Sequence, residues 1–183
     1  MVYKIIKKKL VFKNSVYKVY SNFIKSKDFF VKDFLSLEVK GKSFGGVCCI
    51  IVKNRKIGLM KVQSPLYKRN FFSLVQGFCD HKENSLKAIK REVLEETGIS
   101  TNAKNFKYHS YIYPMHSLIR SKLAIYSVRL NSTHDTNGLK KINEIGVGEI
   151  NFFDFSKVKK MLKEPFLFDL ITFSALNYYL NIK

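Results

Sequence analysis

Glu92, Glu95 and Glu96 stand at i, i+3 and i+4, so on a helix they share one face. Like charges at that spacing weaken an isolated helix, and a chain with 33 Lys and Arg against 14 Asp and Glu had other residues to place there. Something cationic must offset the repulsion. Carboxylate oxygens are the ligands that hard divalent ions prefer, and such ions commonly carry phosphate substrates. The spacing therefore points to metal-assisted attack on a phosphate. Arg91 lies four residues before Glu95, placed to orient that carboxylate and offset its charge.

The glutamates close a longer pattern. Gly77 is followed after five residues by Glu83, and after seven more by Arg91-Glu92-Val93-Leu94-Glu95-Glu96-Thr97-Gly98-Ile99. This 23-residue stretch resembles the Nudix box, Gly-x5-Glu-x7-Arg-Glu-apolar-x-Glu-Glu-x-Gly-apolar, at all nine defined positions. The resemblance implies a metal-dependent pyrophosphohydrolase of nucleoside diphosphates linked to another moiety. It implies Mg²⁺ or Mn²⁺ held principally by Glu92 and Glu96, with Glu95 bridging or standing behind them and the backbone carbonyl of Gln76 within reach. Arg91 belongs to the catalytic group, while Gly77, Gly98 and Glu83 are structural, Glu83 pairing with Arg91 or with a water of the metal. The general base comes from a glutamate on a late loop, for which Glu149 aligns best and Glu144 is the alternative.

The elements that must position these residues are legible in outline. Asn84 or Ser85 can cap a helix start, and Gly98 is placed as the left-handed residue past its end. Leu86, Ile89 and Val93 give that helix an apolar stripe, with the glutamates at its edge. Strands are expected at 3–12, 15–24 and 29–39, then at 47–52 after Gly45-Gly46, where an unbroken apolar run suits burial on both faces. Further strands are expected at 56–62, 71–75, 107–113, 121–130 and 149–153. Ser156 can cap a helix over 157–163, and 166–180 reads as a longer amphipathic helix. The sum is an α/β fold: a mixed sheet with helices on its faces, as the Nudix α/β/α sandwich would have, plus an N-terminal β-strand extension. The extension occupies 1–42 and the Nudix domain 43–183.

Composition narrows the class. An apolar share of 46% over 183 residues, with 14% aromatics, belongs to a globular domain with a substantial core. No apolar run approaches the ~20 residues of a membrane helix, so no membrane partner is expected. The N-terminus lacks a secretory h-region. Cys48, Cys49 and Cys79 form neither a disulfide framework nor a zinc pattern, so a cytoplasmic location is the expectation. The net charge of +19 favours anionic partners and weak, non-specific nucleic-acid binding, though no RNA-binding motif is present. His81, beside the box, and His116, near Pro114, are the histidines closest to the chemistry, whereas His109 and His134 share no metal-ligand spacing with them. Phe78, Tyr111 and Tyr113 could stack on a base, but most of the 16 Phe and 10 Tyr must be core.

The N-terminal segment and the stretch from Gly45 to Phe78 resemble the ADP-ribose pyrophosphatase branch of Nudix enzymes. That likeness implies a homodimer joined by the N-terminal strands, and ADP-ribose or a similar nucleotide sugar as substrate. Pro114 lies 16 residues beyond Gly98, close to that branch's downstream proline. Two departures stand out: Ser73-Leu74-Val75-Gln76 replaces the usual Glu-Leu-Pro-Ala, and Lys82 replaces a glycine before Glu83. The segment 110–117 echoes NADH pyrophosphatases, which keeps NADH or another dinucleotide as an alternative substrate. Binding or hydrolysis of capped RNA 5′ ends is the other alternative.

Overall fold

The run from Val47 to Val52 is almost wholly excluded from solvent on both faces, and the core is organised around it. Val47, Cys49 and Ile51 point to one apolar cluster, while Cys48, Ile50 and Val52 point to another. A strand buried this way must lie mid-sheet with helices above and below. The computed structural model describes residues 3–39, 45–131 and 147–181. Within them the strands are β1 (Lys4–Lys13), β2 (Tyr17–Lys25), β3 (Phe30–Val39), β4 (Gly46–Lys53), β5 (Lys56–Ser64), β6 (Arg69–Ser73), β7 (Val75–Phe78), β8 (Phe106–Ile112), β9 (Ile119–Arg120), β10 (Leu123–Leu130) and β11 (Val147–Asp154). The helices are α1 (Ser85–Thr97), α2 (Phe155–Met161) and α3 (Leu170–Asn181).

The central sheet runs β11-β5-β4-β10-β8, with β10 parallel to β4 and β8 antiparallel to β10. Ala88, Ile89 and Val93 of α1 fill the cluster on one face. Val158 of α2 and Ala175, Leu176 and Tyr179 of α3 fill the other. This is the mixed-sheet α/β/α sandwich, and its two cores share β4 as their common wall.

β4 and β5 pair only over Ile51–Lys53 and then diverge. The gap admits two short strands: β6 pairs with the free half of β5, and β7 with the free half of β4. The strand expected at 71–75 is therefore broken at Leu74. Its buried N–H donates to the Thr172 hydroxyl at 3.0 Å instead of to a neighbouring strand. The N-terminal strands form their own sheet, β1-β2-β3-β9, tied to the core through β9. The boundary expected at residue 42 lies outside the described residues.

Two helix starts differ from expectation. β11 runs directly into α2, whose N-cap is Asp154, so Ser156 sits inside the helix and does not cap it. The stretch 166–180 is also not one helix. Pro165–Leu167 forms a single 3₁₀ turn, Phe168 bridges to Phe72, and α3 begins only at Leu170. Asp169 fixes that start by accepting the Thr172 N–H at 2.9 Å, an N-cap arrangement three residues deep.

Candidate active site

α1 is set by its ends. The Asn84 side chain accepts the Lys87 N–H at 2.9 Å, so of the two candidate caps it is the asparagine that serves. Gly98 takes φ 69° and donates to the Leu94 carbonyl, a left-handed stop that a β-carbon would strain. Between those ends Ala88, Ile89 and Val93 are pinned to the sheet, which fixes the rotation of the helix. At about 100° per residue, Glu92 and Glu96 then lean together toward β7 while Glu95 falls on the solvent shoulder. Glu92 is only 8% exposed, whereas the Glu95 side chain is 53% exposed. The shared glutamate face thus divides into a buried Glu92, a half-buried Glu96 and an exposed Glu95.

β7 meets Glu92 and Glu96 with backbone. The Gln76 N–H donates to Glu96 Oε2 at 3.3 Å. The N–H and C=O of one residue leave an antiparallel strand on the same side, so the Gln76 carbonyl is directed to that edge too. At Gly77 a β-carbon would lie 2.1 Å from the Glu92 carboxyl carbon. Glycine is needed here for space, not for a special backbone angle. Gly77→Ala would push the Glu92 carboxylate off β7 at a folding cost of about 1–3 kcal/mol. A misplacement of that order should lower kcat/KM by about 10²-fold. Steady-state kinetics beside thermal denaturation checks this, and a fully active variant would show that Glu92's position is immaterial.

Arg91 binds the loop to the helix. Its Nε and Nη2 donate to both oxygens of Glu83 at 3.2 and 2.9 Å, and Nη2 also donates to the Phe78 carbonyl at 2.9 Å. Nη1 bridges Glu92 and Glu95 at 2.8 and 2.9 Å. Glu83 in turn accepts the Asp80 N–H at 3.2 Å. The guanidinium beside it holds the Glu83 carboxyl below its ordinary value of 4.5, against the opposing effect of burial. A lowered carboxyl stabilises the fold fully above 4.5 and loses that contribution as pH falls through the lower folded value. The urea midpoint of the protein should therefore drop on acidification below about pH 5, and Glu83→Gln should flatten that limb. Superimposable pH curves for both proteins would refute the pairing.

The donor set suits a hard cation. Among the described residues no three His, Cys, Asp or Glu side chains are gathered closely enough to enclose an ion. Glu92, Glu96 and the Gln76 carbonyl instead present oxygens along one open edge. Mg²⁺ is characteristically bound by one or two carboxylates while keeping waters and contacting substrate phosphates. An open, all-oxygen set fits that habit, and Mn²⁺ accepts the same ligands. Glu95 stands outside the pair, held by Arg91.

A cavity of about 370 Å³ adjoins β7, between the N-terminal sheet and the core. Tyr17, Gln76, Phe78, Pro114 and Ile171 line it, and the rings of Tyr17 and Phe78 meet edge to face at 5.7 Å. Its volume falls in the range of small-molecule sites. Gln76 donates to the Ser73 hydroxyl at 3.0 Å and to Asp169 at 3.4 Å, while its buried Oε1 has no partner among the described residues. Tyr17 and the Asp169–Thr172–Gln76 network have no counterpart in the sequence reading. The local N-cap spacing of Asp169 and Thr172 was their one available signal.

The other candidates stand on other elements. Glu149 is exposed on β11. Glu144 and His134 lie outside the described residues. His81 and His116 are exposed in turns, and His109 pairs with the Ser127 hydroxyl at 2.7 Å on β8, away from the glutamates. Tyr111 and Tyr113 contact each other edge to face at 5.6 Å. Cys48, Cys49 and Cys79 are free and buried, and burial pushes the Cys79 thiol up to about 11. Among the described residues no helix is long and apolar enough to cross a membrane.

The family model described as NUDIX domain matches residues 42–171. Among curated proteins, an 80-residue stretch is 30% identical to the NAD-capped RNA hydrolase NudC of Vibrio cholerae serotype O1, covering 43% of this chain. That stretch spans 29% of the relative's own length. Among solved structures, the fold is similar to that of an ADP compounds hydrolase, with a TM-score of 0.75 over 98% of this chain and 92% of the other, at 15% identity.

Proposed function

This chain belongs to the NUDIX family, a class of pyrophosphohydrolases, and from that premise we propose that it cleaves the diphosphate of ADP-ribose or a similar nucleotide sugar. The observation that carries this reading is the Glu92–Glu96 pair set against the Gln76–Gly77 backbone, next to a nucleoside-sized cavity. Glu92, Glu96 and the Gln76 carbonyl would hold Mg²⁺ or Mn²⁺, with Glu95 near. Such an ion, when bound, neutralises phosphate charge and makes a coordinated water more acidic. Arg91 keeps Glu92 and Glu95 oriented and fixes the 78–83 loop through Glu83. Gly77 leaves the space that the Glu92 carboxylate fills.

In the reaction, water adds to one phosphorus and the bridging P–O bond breaks. The products are a nucleoside monophosphate and a sugar phosphate, AMP and ribose 5-phosphate from ADP-ribose. The proton of the water goes to a carboxylate base, worth typically ~10²–10⁴-fold. Glu149, exposed on β11, is our assignment for it and Glu144 the alternative. The cavity beside Phe78 takes the nucleoside, where the unpaired Gln76 Oε1 can accept an N–H of the base.

The N-terminal sheet supports a homodimer. Ile5, Ile6, Leu10, Phe12, Phe30 and Leu35 leave large apolar side chains exposed on β1 and β3. Light scattering should give twice the monomer mass, and a monomer at micromolar concentration would refute the dimer. Three free buried thiols suit a reducing cytoplasm, and the charge of +19 suits weak, salt-sensitive nucleic-acid binding.

A second reading rests on the similarity to an NAD-capped RNA hydrolase: NADH, another dinucleotide or a capped RNA 5′ end as substrate. Comparing kcat/KM for ADP-ribose, NADH and NAD-capped RNA under one metal condition decides between them. The first reading expects ADP-ribose to be preferred by at least tenfold. A preference for NADH or capped RNA would overturn it.

A further inference from the structure

We propose that the far end of the central sheet carries a second, non-catalytic site for a nucleoside phosphate. A cleft of about 700 Å³ opens there, between the ends of β4 and β10 and the helices α2 and α3. It is larger than the cavity beside the glutamates and shares no lining residue with it. Gly46 lines one and Val52 the other, at opposite ends of β4 and so about 20 Å apart along extended chain. The cleft also adjoins the face covered by α2 and α3, whereas the glutamates belong to α1 on the other face.

Its charge is one-sided. Among the described residues, Arg55, Arg129 and Lys159 line it and no carboxylate does. None of the three forms an ion pair among the described residues, and the adjacent Asp154 is turned to Lys56 at 3.9 Å. Cations of one sign around a concave, low-dielectric wall focus their field and draw anions inward. Two of them are guanidinium groups, whose planar forks match phosphate oxygens two at a time.

Arg55 is held there against backbone preference. Asn54 and Arg55 form the two-residue turn between β4 and β5 with φ of 50° and 60°, both left-handed. Asparagine is ordinary in the first position of such a turn, and glycine is the usual occupant of the second. An arginine instead puts a guanidinium at the cleft's rim at a conformational cost that glycine would avoid.

The rest of the lining is largely apolar. Val52, Leu130, Phe155 and Tyr179 supply it, with the rings of Phe155 and Tyr179 edge to face at 6.4 Å. A phosphate held by the arginines with a flat base against this wall satisfies both halves of the cleft. A bare inorganic anion would leave the apolar half unused.

The test titrates AMP and, separately, inorganic pyrophosphate into the intact protein by calorimetry, alongside Arg55→Gln/Arg129→Gln/Lys159→Gln. The three side chains are exposed, and the single variant Lys159→Glu provides a second, milder change. AMP should bind wild type and lose at least about tenfold in affinity in the triple variant, one charge-assisted contact being worth about that much. Phe155 and Tyr179 ring resonances should shift on addition of AMP, and kcat/KM for diphosphate cleavage should be unchanged in both variants. No AMP binding at millimolar concentration, or equal affinity in wild type and triple variant, would overturn the site. Loss of AMP binding on Glu96→Gln alone would place the ligand in the catalytic cleft and overturn it too. Pyrophosphate binding without AMP binding would overturn the nucleoside assignment.

Discussion

Replacing Glu96 by glutamine should lower kcat by about 10³-fold, the several kcal/mol of transition-state stabilisation that a metal ligand supports, while leaving the fold as stable as before. An amide oxygen at position 96 can still accept the Gln76 N–H, now at 3.3 Å. One negative charge also leaves a helix face that carries three, which removes repulsion. A structural carboxylate would behave the opposite way, with stability falling and turnover following it down. Thermal midpoints measured without metal, beside initial rates at saturating Mg²⁺, separate the two. Equal turnover in wild type and variant would dissolve the metal assignment.

Arg91→Ala should be the most damaging substitution to stability around the site, by about 2–4 kcal/mol. It removes the donors to Glu83, Glu92, Glu95 and the Phe78 carbonyl at once. Glu83, whose side chain is 14% exposed, would lose its cationic partner while keeping the Asp80 amide. Arg91→Lys should recover only part of the loss, because an ammonium cannot reproduce the bidentate fork on Glu83. Turnover should fall with the variant even where it is fully folded, since Glu92 loses the contact that orients it. Urea unfolding of the three proteins with and without Mg²⁺ reads this out. Binding of a cation at Glu92 and Glu96 should return part of the stability lost by Arg91→Ala, and equal midpoints for all three proteins would contradict the role given to Arg91.

What the sequence disclosed was whatever is written locally. The helix 85–97, its asparagine cap and its glycine stop follow from residues within one or two turns of each other, and so does the buried strand from Gly46 to Lys53. The pairing of Arg91 with Glu83 and Glu95 belongs to the same short stretch. The misjudged features are those decided across the fold. The break at Leu74 depends on Thr172, nearly 100 positions away, and on two sheet halves that separate. The start of α3 depends on Pro165 and Asp169 stopping a helix that apolar periodicity would have carried through. Tyr17 enters the cavity wall only because the N-terminal sheet folds back over β7. Spacing alone does not separate the three glutamates, and it was the family resemblance that set Glu95 behind Glu92 and Glu96; in the fold, burial of Ile89 and Val93 fixes a helix rotation that leaves Glu95 exposed.

These particulars make the site a division of labour between backbone and side chain. The short strand β7 offers the Gln76 amide and the bare Gly77 face, α1 offers the carboxylates of Glu92 and Glu96, and Arg91 locks the connecting loop to both. The replacement of the branch's usual Pro-Ala by Val75-Gln76 gains a physical reading as well. Gln76 ties β7 to Ser73 and to the α3 cap at Asp169, which fixes the strand without proline.

The most direct test of the metal platform is release of AMP from ADP-ribose as Mg²⁺ is titrated into the metal-free protein. The expected result is a saturable rise in rate, AMP and ribose 5-phosphate in equal amounts, arrest by EDTA and recovery on renewed Mg²⁺. Intact ADP-ribose and intact nucleoside diphosphate analogues at every Mg²⁺ and Mn²⁺ concentration would contradict the account, as would cleavage that proceeds unchanged in EDTA.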